Sequence, residues 1–241
     1  MSSHVLIPDT QVKPGVKLDH LLWAAKFIKD VKPDKVIIIG DWWDMPSLSS
    51  WSKKREAEGQ RYKKDIDAGM EAMELFMRHR PKLTEYHFCF GNHENRIDRY
   101  VDDFPNMEGH MSTRDCDVES FGIKAHSFLK PVKLDGVKYS HYFYNANSGR
   151  PFASARLMVK ATHESCTAGH LQTKDDWMDH MPDSDRYVRG LIAGAFYLHD
   201  EDYKGPQGNN HWRGIIHKTN VRRGMYDLRE VSLHSLRAEY A

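Results

Sequence analysis

Five short motifs along the chain combine the residue types that bind divalent cations in proteins. They read Asp9-Thr10-Gln11, Gly40-Asp41-Trp42-Trp43-Asp44, Gly91-Asn92-His93-Glu94, Ser140-His141 and Gly169-His170-Leu171-Gln172. Carboxylate and amide oxygens suit hard cations such as Mg²⁺ and Mn²⁺, whereas imidazole nitrogens also bind Fe²⁺, Ni²⁺ and Zn²⁺. Each motif alone is weak, because aspartates at strand ends are often helix N-caps and a histidine such as His141 is more often packed than bound to a metal. Their succession in one chain indicates a metal site.

The first three motifs follow predicted buried strands. Residues 4–7 are apolar and stop at a turn-forming Pro-Asp pair, residues 36–39 are a β-branched run that ends at Gly-Asp, and residues 86–90 lead into Gly-Asn. Continuous apolar runs of this kind are typical of strands in a parallel sheet covered on both faces. In open α/β sheets the ligand site lies outside the carboxyl ends of the strands. We therefore expect the metal site at this edge of the sheet.

The intervening segments predict helices and, later in the chain, further strands. Residues 18–31 have a broad apolar face at helical spacing, which gives a strand, helix, strand unit with a right-handed crossover. Residues 66–80 also show helical spacing, although Gly69 weakens that prediction. The second half is expected to be more antiparallel, with strands at 137–140, 191–196, 214–221 and 225–236 and a hairpin turn at Arg223-Gly224. Segments 45–65 and 98–125 are long and polar, as binding loops often are.

Composition restricts the class of protein. The 241 residues include 35 basic and 34 acidic side chains, so no global charge favours nucleic acid or a membrane surface, and we expect a single domain over residues 1–241. No apolar run approaches the roughly 20 residues of a membrane span, and the N-terminus lacks the pattern of a secretory signal. The odd set of Cys89, Cys116 and Cys166 is typical of reduced, buried thiols. These features predict a soluble cytoplasmic protein with no membrane partner.

Taken in order, the five motifs resemble the signature of the calcineurin-like metallophosphoesterases, in which D-x-H, G-D-x-x-D, G-N-H-[DE], a single histidine and G-H-x-H follow one another. The match spans residues 9–172. The resemblance implies an α/β fold, a calcineurin-like four-layer αββα sandwich with mixed sheets, whose metal site lies at the carboxyl ends of strands. It also implies a metallophosphoesterase with two divalent ions. The motif texture is similar to that of phosphoesterases from bacteriophages and their bacterial hosts.

The chemistry of phosphate esters explains why such residues are required. Hydrolysis needs a water of lowered pKa, neutralised phosphate oxygens and a protonated leaving group, and two cations about 3.5–4 Å apart supply the first two. The resemblance assigns one metal to Asp9, Gln11, Asp41 and Gln172, and the other to Asp41, Asn92, His141 and His170. The implied catalytic residues are Asp41 as the bridging carboxylate, Asn92, and His93 as the acid for the leaving oxygen.

Two positions depart from the usual family pattern. Gln11 and Gln172 stand where histidines are more common, and both belong to the same implied metal site. That site would then be built from oxygen ligands alone, which suit Mn²⁺ or Mg²⁺ better than Zn²⁺. Because the second site keeps two imidazoles and accepts Mn²⁺, Fe²⁺, Ni²⁺ or Zn²⁺, manganese is the ion that suits both.

Fold and metals leave the substrate open, so local features must decide between phosphate esters. The second motif lacks the Arg-Gly that follows its second aspartate in protein Ser/Thr phosphatases. Basic and aromatic residues interleave nearby, as in a groove for nucleic acid, although a solvated loop is the simpler interpretation; they are Lys53, Lys54, Arg55, Arg61, Lys63 and Lys64 with Trp42, Trp43 and Trp51. Arg96 is expected to bind a phosphate oxygen through its guanidinium fork, with Arg99 close by, and Trp42 to stack on substrate or to cover the sheet.

The sequence thus favours hydrolysis of phosphodiester bonds, with a nuclease acting on DNA or RNA, or an enzyme acting on a nucleotide, as the forms considered. Two alternatives stay open. One is a phosphomonoesterase acting on a nucleotide or phosphoprotein. The other is a metal-binding scaffold without activity, against which the presence of Asn92 and His93 argues. The oligomeric state is not indicated by any pattern in the chain.

Overall fold

Two mixed β-sheets form the centre of the molecule in this computed structural model, which describes residues 1–50, 58–182, 184–201 and 208–241. The first sheet contains, in spatial order, β11 (Met225–Ser232), β10 (Gly214–Arg222), β1 (Ser2–Ile7), β2 (Lys35–Ile38), β3 (Glu85–Cys89) and β4 (Lys124–His126). The second contains β5 (Val132–Leu134), β6 (Val137–Tyr139), β7 (Cys166–Ala168), β9 (Tyr187–Ala193) and β8 (Lys174–His180). The main helices are α1 (Asp19–Val31), α2 (Tyr62–Met77), α3 (Arg96–Asp103), α4 (Ala155–Thr162) and α5 (Leu233–Tyr240).

Three apolar clusters separate four layers. The largest lies between the first sheet and the helices α1, α2 and α5, and includes Phe27, Phe76 and Leu236. A second cluster lies between the two sheets, where Leu6 and Ile37 of the first meet Leu191 of the second. The third packs α4 on the outer face of the second sheet. The expected four-layer αββα sandwich with mixed sheets is therefore confirmed.

The order of strands places all five motifs at neighbouring strand ends. Strands β1, β2, β3 and β4 run parallel, as the strand, helix, strand pattern predicted, and each of the first three ends just before one of the first three motifs. In the second sheet β6, β7 and β9 are also parallel. His141 follows β6 by two residues and His170 follows β7 by two residues. The site is thus assembled from the carboxyl ends of both sheets.

The prediction of a more antiparallel second half is confirmed for β10 and β11, but it was wrong in two respects. The parallel pairing in the centre of the second sheet was not expected. In that sheet only the edge pairs, β5 with β6 and β8 with β9, are antiparallel. The predicted strand 225–236 ends at Ser232, whose hydroxyl accepts a hydrogen bond from the Ser235 N–H and caps α5. The hairpin turn at Arg223-Gly224 between β10 and β11 is confirmed, with Arg223 in the left-handed region at φ 52°.

Gly69 has a packing role in α2. A Cβ atom at this position would lie 1.6 Å from Nε1 of Trp43, so only glycine lets the helix approach the tryptophan ring. The indole N–H of Trp42 donates to the Gly69 carbonyl, and that of Trp43 donates to the Ile66 carbonyl. The glycine that weakened the helix prediction is thus the residue that allows both indoles to be buried under α2.

The three cysteines are buried free thiols, as expected. Among the described residues, no helix is both long enough and apolar enough to cross a bilayer. The segment 98–125 is less irregular than predicted, because it contains most of α3 and three short 3₁₀ turns.

Candidate metal centre

Two histidines and a carboxylate converge where the two sheets meet. One ligand atom each of Asp41, His141 and His170 lies within 4.8 Å of the other two. Asn92 completes the group, since its Oδ1 lies 2.8 Å from Nε2 of His141 and 2.8 Å from Nδ1 of His170. These four residues are those that the resemblance assigned to one metal. The structure brings them together although they follow four separate strands, two in the first sheet and two in the second.

A backbone carbonyl fixes the orientation of the His141 ring. Its Nδ1 lies 2.8 Å from the carbonyl of Ile39, which can only accept a hydrogen bond, so Nδ1 carries the proton. Nε2 is then directed into the site, 3.3 Å from Oδ1 of Asp41. A backbone carbonyl that holds the second nitrogen is the usual support for a metal-binding histidine. His141 is fully buried, which makes this orientation rigid.

The other implied site holds two buried oxygens that lack a partner. Oδ2 of Asp9 and Oε1 of Gln11 have no hydrogen-bond partner in the part of the chain that is described, although both residues are fully buried. The amide nitrogen of Gln11 donates to Oδ2 of Asp41 at 3.3 Å, which leaves the carbonyl oxygen on the other side of the amide. Unsatisfied buried oxygens in a native fold call for an explanation, and a bound cation supplies one. The donor set therefore fits a divalent ion.

Gln172, the fourth implied ligand of that site, is already engaged. Its Oε1 accepts a hydrogen bond of 2.9 Å from the hydroxyl of Tyr197, which is itself fully buried. An amide oxygen has two lone pairs, so this bond leaves room for a cation on the same atom. Tyr197 was not expected at the site from the sequence, because it lies in an aromatic run after β9 that carries no motif.

The electrostatics of the cluster favour a cation. Burial, together with nearby Asp41, raises the pKa of Asp9 to about 7 despite the opposing effect of His141. Burial would lower the pKa of His141, but Asp41 and then Asp9 raise it to about 9. Burial also lowers the pKa of His170 to about 4, with His141 adding to the effect. The two buried carboxylates of Asp9 and Asp41 thus stabilise positive charge between them, and a divalent ion would provide it.

The loops that hold the implied ligands have unusual backbone geometry. Gln11, Asp41, His170 and Gln172 all lie in the left-handed region, with φ of 48°, 50°, 68° and 58°. This region is sparsely populated by residues other than glycine and costs of order 1–3 kcal/mol at each position. Such strain clusters at functional sites, where neighbouring contacts force the conformation.

Glu94 ties two of these loops together, although its role was not expected from the sequence. Its fully buried carboxylate accepts three backbone N–H bonds: from Trp43 at 3.0 Å, from Asp41 at 3.1 Å and from Gly91 at 2.8 Å. The second and third motifs are therefore fixed to each other through one side chain. The sequence signal for this role is the acidic fourth residue of Gly91-Asn92-His93-Glu94.

Replacement of Glu94 by glutamine is expected to destabilise the protein by roughly 2–3 kcal/mol, because an amide group would face backbone donors that now bind a charged acceptor. Thermal and urea unfolding of the metal-free protein would measure the change. The matched control is Glu71→Gln on the exposed face of α2. Equal stability of the two variants would contradict a role of Glu94 in holding the second and third motifs together.

His93 lies beside the cluster and has three charged neighbours. Its Nδ1 is 3.1 Å from Oδ1 of Asp44, and its Nε2 is 3.7 Å from Oδ2 of Asp41 and 2.9 Å from a guanidinium nitrogen of Arg96. Burial and Arg96 act to lower the pKa of His93, but the two carboxylates prevail and raise it. Asp44 belongs to the second motif, but no pattern in the chain predicts a role for it.

The expectation that Trp42 stacks on substrate is not supported. Its side chain is 0% exposed and packs on Phe76, with ring centroids 5.5 Å apart, so it presents no face to a ligand. The alternative that it covers the sheet is the one the structure favours. Trp43 is likewise fully buried.

Arg96 is used inside the protein. One of its guanidinium nitrogens donates to the carbonyls of Asp44 and Met45, at 2.6 and 3.2 Å, and the other lies against His93. Through these contacts the guanidinium group of Arg96 holds the loop of the second motif next to the imidazole of His93. Its expected contact with a phosphate oxygen stays a prediction, and Arg99 on the same helix is exposed.

The basic and aromatic cluster can be located only in part. Trp51, Lys53, Lys54 and Arg55 lie outside the described residues. Arg61 immediately precedes α2, and Lys63 and Lys64 lie in its first turn, where Lys63 pairs with Asp67 one turn later. For Lys63 the solvated face of a helix is therefore the observed setting.

Comparison with known proteins gives partial similarities. No protein-family model matches the chain. A stretch of 101 residues, 42% of this chain, is 37% identical to the Gene 54 protein of Mycobacterium phage D29, and the match spans 37% of that protein's length. A crystal structure of a Vps29 double mutant from Entamoeba histolytica aligns with 95% of this chain and 98% of its own, with a TM-score of 0.40 and 10% identity. A second solved structure aligns with 96% of this chain and 99% of its own, with a TM-score of 0.40 and 11% identity.

Proposed function

We propose that this chain is a metal-dependent phosphoesterase that hydrolyses phosphodiester bonds, with a nucleic acid or nucleotide as substrate. The observation that carries the proposal is the convergence of Asp41, Asn92, His141 and His170 on one point, beside two buried oxygens of Asp9 and Gln11 without partners. When bound there, two divalent ions would lower the pKa of a water and neutralise the oxygens of the phosphate.

In this proposal His93 is the general acid that protonates the leaving group. Nδ1 lies 3.1 Å from Oδ1 of Asp44, and Nε2, on the other side of the ring, lies between Asp41 and Arg96. The carboxylates favour the protonated ring while Arg96 disfavours it, and such opposing effects suit a group that must both hold and release a proton. Asp41 contributes a second contact, because its Oδ1 accepts the backbone N–H of His93 at 3.0 Å.

Two features support a diester over a monoester. A phosphomonoester dianion carries one more negative charge than a diester and needs more cationic partners. Of the two arginines near the third motif, Arg96 is committed to carbonyls and to His93. Aromatic rings adjoin the site instead: the ring of Tyr142 lies 4.8 Å from that of His170, and Tyr144, two residues on, is 45% exposed. Such rings can stack on nucleobases.

The test is a panel of metal ions against a phosphomonoester, bis-p-nitrophenyl phosphate, a cyclic nucleotide and single-stranded DNA. We expect turnover of the diesters to exceed that of the monoester, with Mn²⁺ as the best ion. Faster turnover of the monoester would favour a phosphatase. Stoichiometric metal binding without turnover of any substrate would favour a scaffold.

The two glutamines predict how the metal preference can be changed. Gln11→His together with Gln172→His should shift the preference toward Zn²⁺, because imidazole is a softer ligand than an amide oxygen. Histidine tolerates the left-handed backbone of both positions better than most residues do. Metal content after dialysis against equal Mn²⁺ and Zn²⁺ would measure the shift. Recovery of the parent protein with zinc tightly held at both sites would contradict the argument from ligand hardness.

A further inference from the structure

A line of charged side chains leads away from His93 on the side opposite the metal cluster. Oδ1 of Asp44 lies 3.1 Å from Nδ1 of His93, and its other oxygen, Oδ2, lies 3.0 Å from Nζ of Lys13. The same Nζ lies 2.8 Å from Oε2 of Glu201. Lys13 therefore bridges two carboxylates, one of which lies within ion-pair distance of the imidazole.

Burial distinguishes this bridge from an ordinary surface ion pair. Exposed pairs contribute little because water screens them. Here the side chain of Glu201 is 2% exposed, that of Asp44 10% and that of Lys13 24%. Loss of one partner from such a group leaves a buried charge without compensation. The burial of two carboxylates so close together thus depends on the ammonium between them.

Each end of the bridge is anchored by its own backbone. Val12 donates to the Trp42 carbonyl at 2.7 Å and accepts from the N–H of Asp44 at 2.8 Å, which places Lys13 beside Asp44. At the other end, the N–H of Glu201 donates to the side chain of Asn209 at 2.8 Å, and the Asn209 amide donates back to the Glu201 carbonyl at 2.9 Å.

The second oxygen of Glu201 is also held. Its Oε1 lies 2.7 Å from Nε2 of His199, whose ring stacks on Tyr197 with centroids 4.8 Å apart. The carboxylate thus has both oxygens occupied and little freedom to turn. The position of the Glu201 carboxylate is therefore fixed, and Lys13, which contacts both carboxylates, restrains Asp44 in turn.

We propose that Lys13 and Glu201 are positioning residues for His93. By occupying Oδ2 of Asp44, Lys13 stops the carboxylate from rotating, so that Oδ1 stays on Nδ1 and Nε2 stays directed at the reacting centre. The role of His93 itself rests on the proposed function. The sequence contains no motif for this pair, because Lys13 and Glu201 are 188 residues apart.

The experiment compares Lys13→Met and Glu201→Gln with the controls Lys63→Met and Glu71→Gln on the exposed face of α2. Substrates are a diester with a nitrophenolate leaving group and one with an alkoxide leaving group, assayed with Mn²⁺. We expect Lys13→Met to lower the rate on the alkoxide substrate about 10–100-fold, as loss of an orienting partner typically does. The nitrophenolate substrate should change less than about threefold, and Mn²⁺ content should not change.

Two further measurements separate positioning from a general loss of structure. In a His93→Ala background, Lys13→Met should have no additional effect on the alkoxide substrate, since the two changes act through one group. In ¹⁵N NMR spectra of the Mn²⁺-free protein, recorded at a pH high enough for the ring to be neutral, His93 should show one dominant Nδ1–H tautomer that becomes mixed in Lys13→Met and in Glu201→Gln.

The outcomes distinguish the two proposals. An equal fall on both substrates, a full effect in the His93→Ala background, or an unchanged tautomer would overturn the positioning role. A parent protein without turnover on either substrate would overturn the proposed function, and the NMR comparison would then decide the positioning role alone. Should Lys13→Met fail to fold, Glu201→Gln keeps the shape of the site and carries the test.

Discussion

Asp41→Asn is expected to lower phosphodiester hydrolysis by about 10³-fold or more, which corresponds to about 4 kcal/mol of transition-state stabilisation. Asp41 is the carboxylate that faces both halves of the site: Oδ1 lies 3.3 Å from Nε2 of His141, and Oδ2 accepts from the Gln11 amide at 3.3 Å. Asparagine keeps the shape and can still accept the His93 N–H, but it removes the charge that two cations would share. Metal content should fall from two ions toward one or none.

Asp102→Asn is the matched control, because it makes the same chemical change at an exposed position of α3. It should leave both turnover and metal content unchanged. Two ions retained at full stoichiometry in Asp41→Asn would refute the bridging role. Measurement of metal by mass spectrometry, alongside the rate, separates loss of the ion from loss of the chemistry.

His93→Ala is expected to slow the hydrolysis of esters with poor leaving groups by about 10²–10⁴-fold, the usual contribution of a general acid. Activated esters should be affected much less, since a nitrophenolate leaves without a proton. The variant should therefore show a steeper dependence of rate on leaving-group pKa across a series of aryl and alkyl esters. Metal content should stay the same, because the cluster of Asp41, His141 and His170 does not include His93.

His110→Ala, at an exposed position of the segment 98–125, is the control. It should keep the slope of the parent protein. If His93→Ala also keeps that slope, His93 is an electrostatic or structural residue. If the variant loses a metal ion, the imidazole is part of the metal site and its assignment as the acid is wrong.

Much of the site's position could be predicted because it depends on local patterns. The runs at 36–39 and 86–90 are long enough to identify as buried strands, and each is followed at once by a glycine and a polar ligand type. Parallel pairing of β1, β2 and β3 then brings those ends together without further information. His141 and His170 could be placed only through the resemblance, since β6 and β7 have three residues each and show no usable period.

Other features depend on contacts between distant residues and leave no local pattern. β8 reads as a polar, charged segment, and it is a strand because it pairs with β9 at the edge of the second sheet. The sequence pattern of the two adjacent tryptophans is the same whether their rings contact a ligand or pack under α2. Their burial in the core depends on the close approach of α2 that Gly69 allows. The two carboxylates that Lys13 joins, Asp44 and Glu201, likewise come from distant parts of the chain.

The left-handed backbone at Gln11, Asp41, His170 and Gln172 has a consequence for how this protein can be altered. Glycine at any of these positions would relieve local strain, while the side chain lost would be an implied ligand. A library selected for heat resistance alone should therefore drift toward glycine there and become inert. Selection for turnover should keep the strained residues and accept a lower melting temperature. Under the proposed function, the most stable version of the protein and its active version would therefore differ in sequence at these four positions.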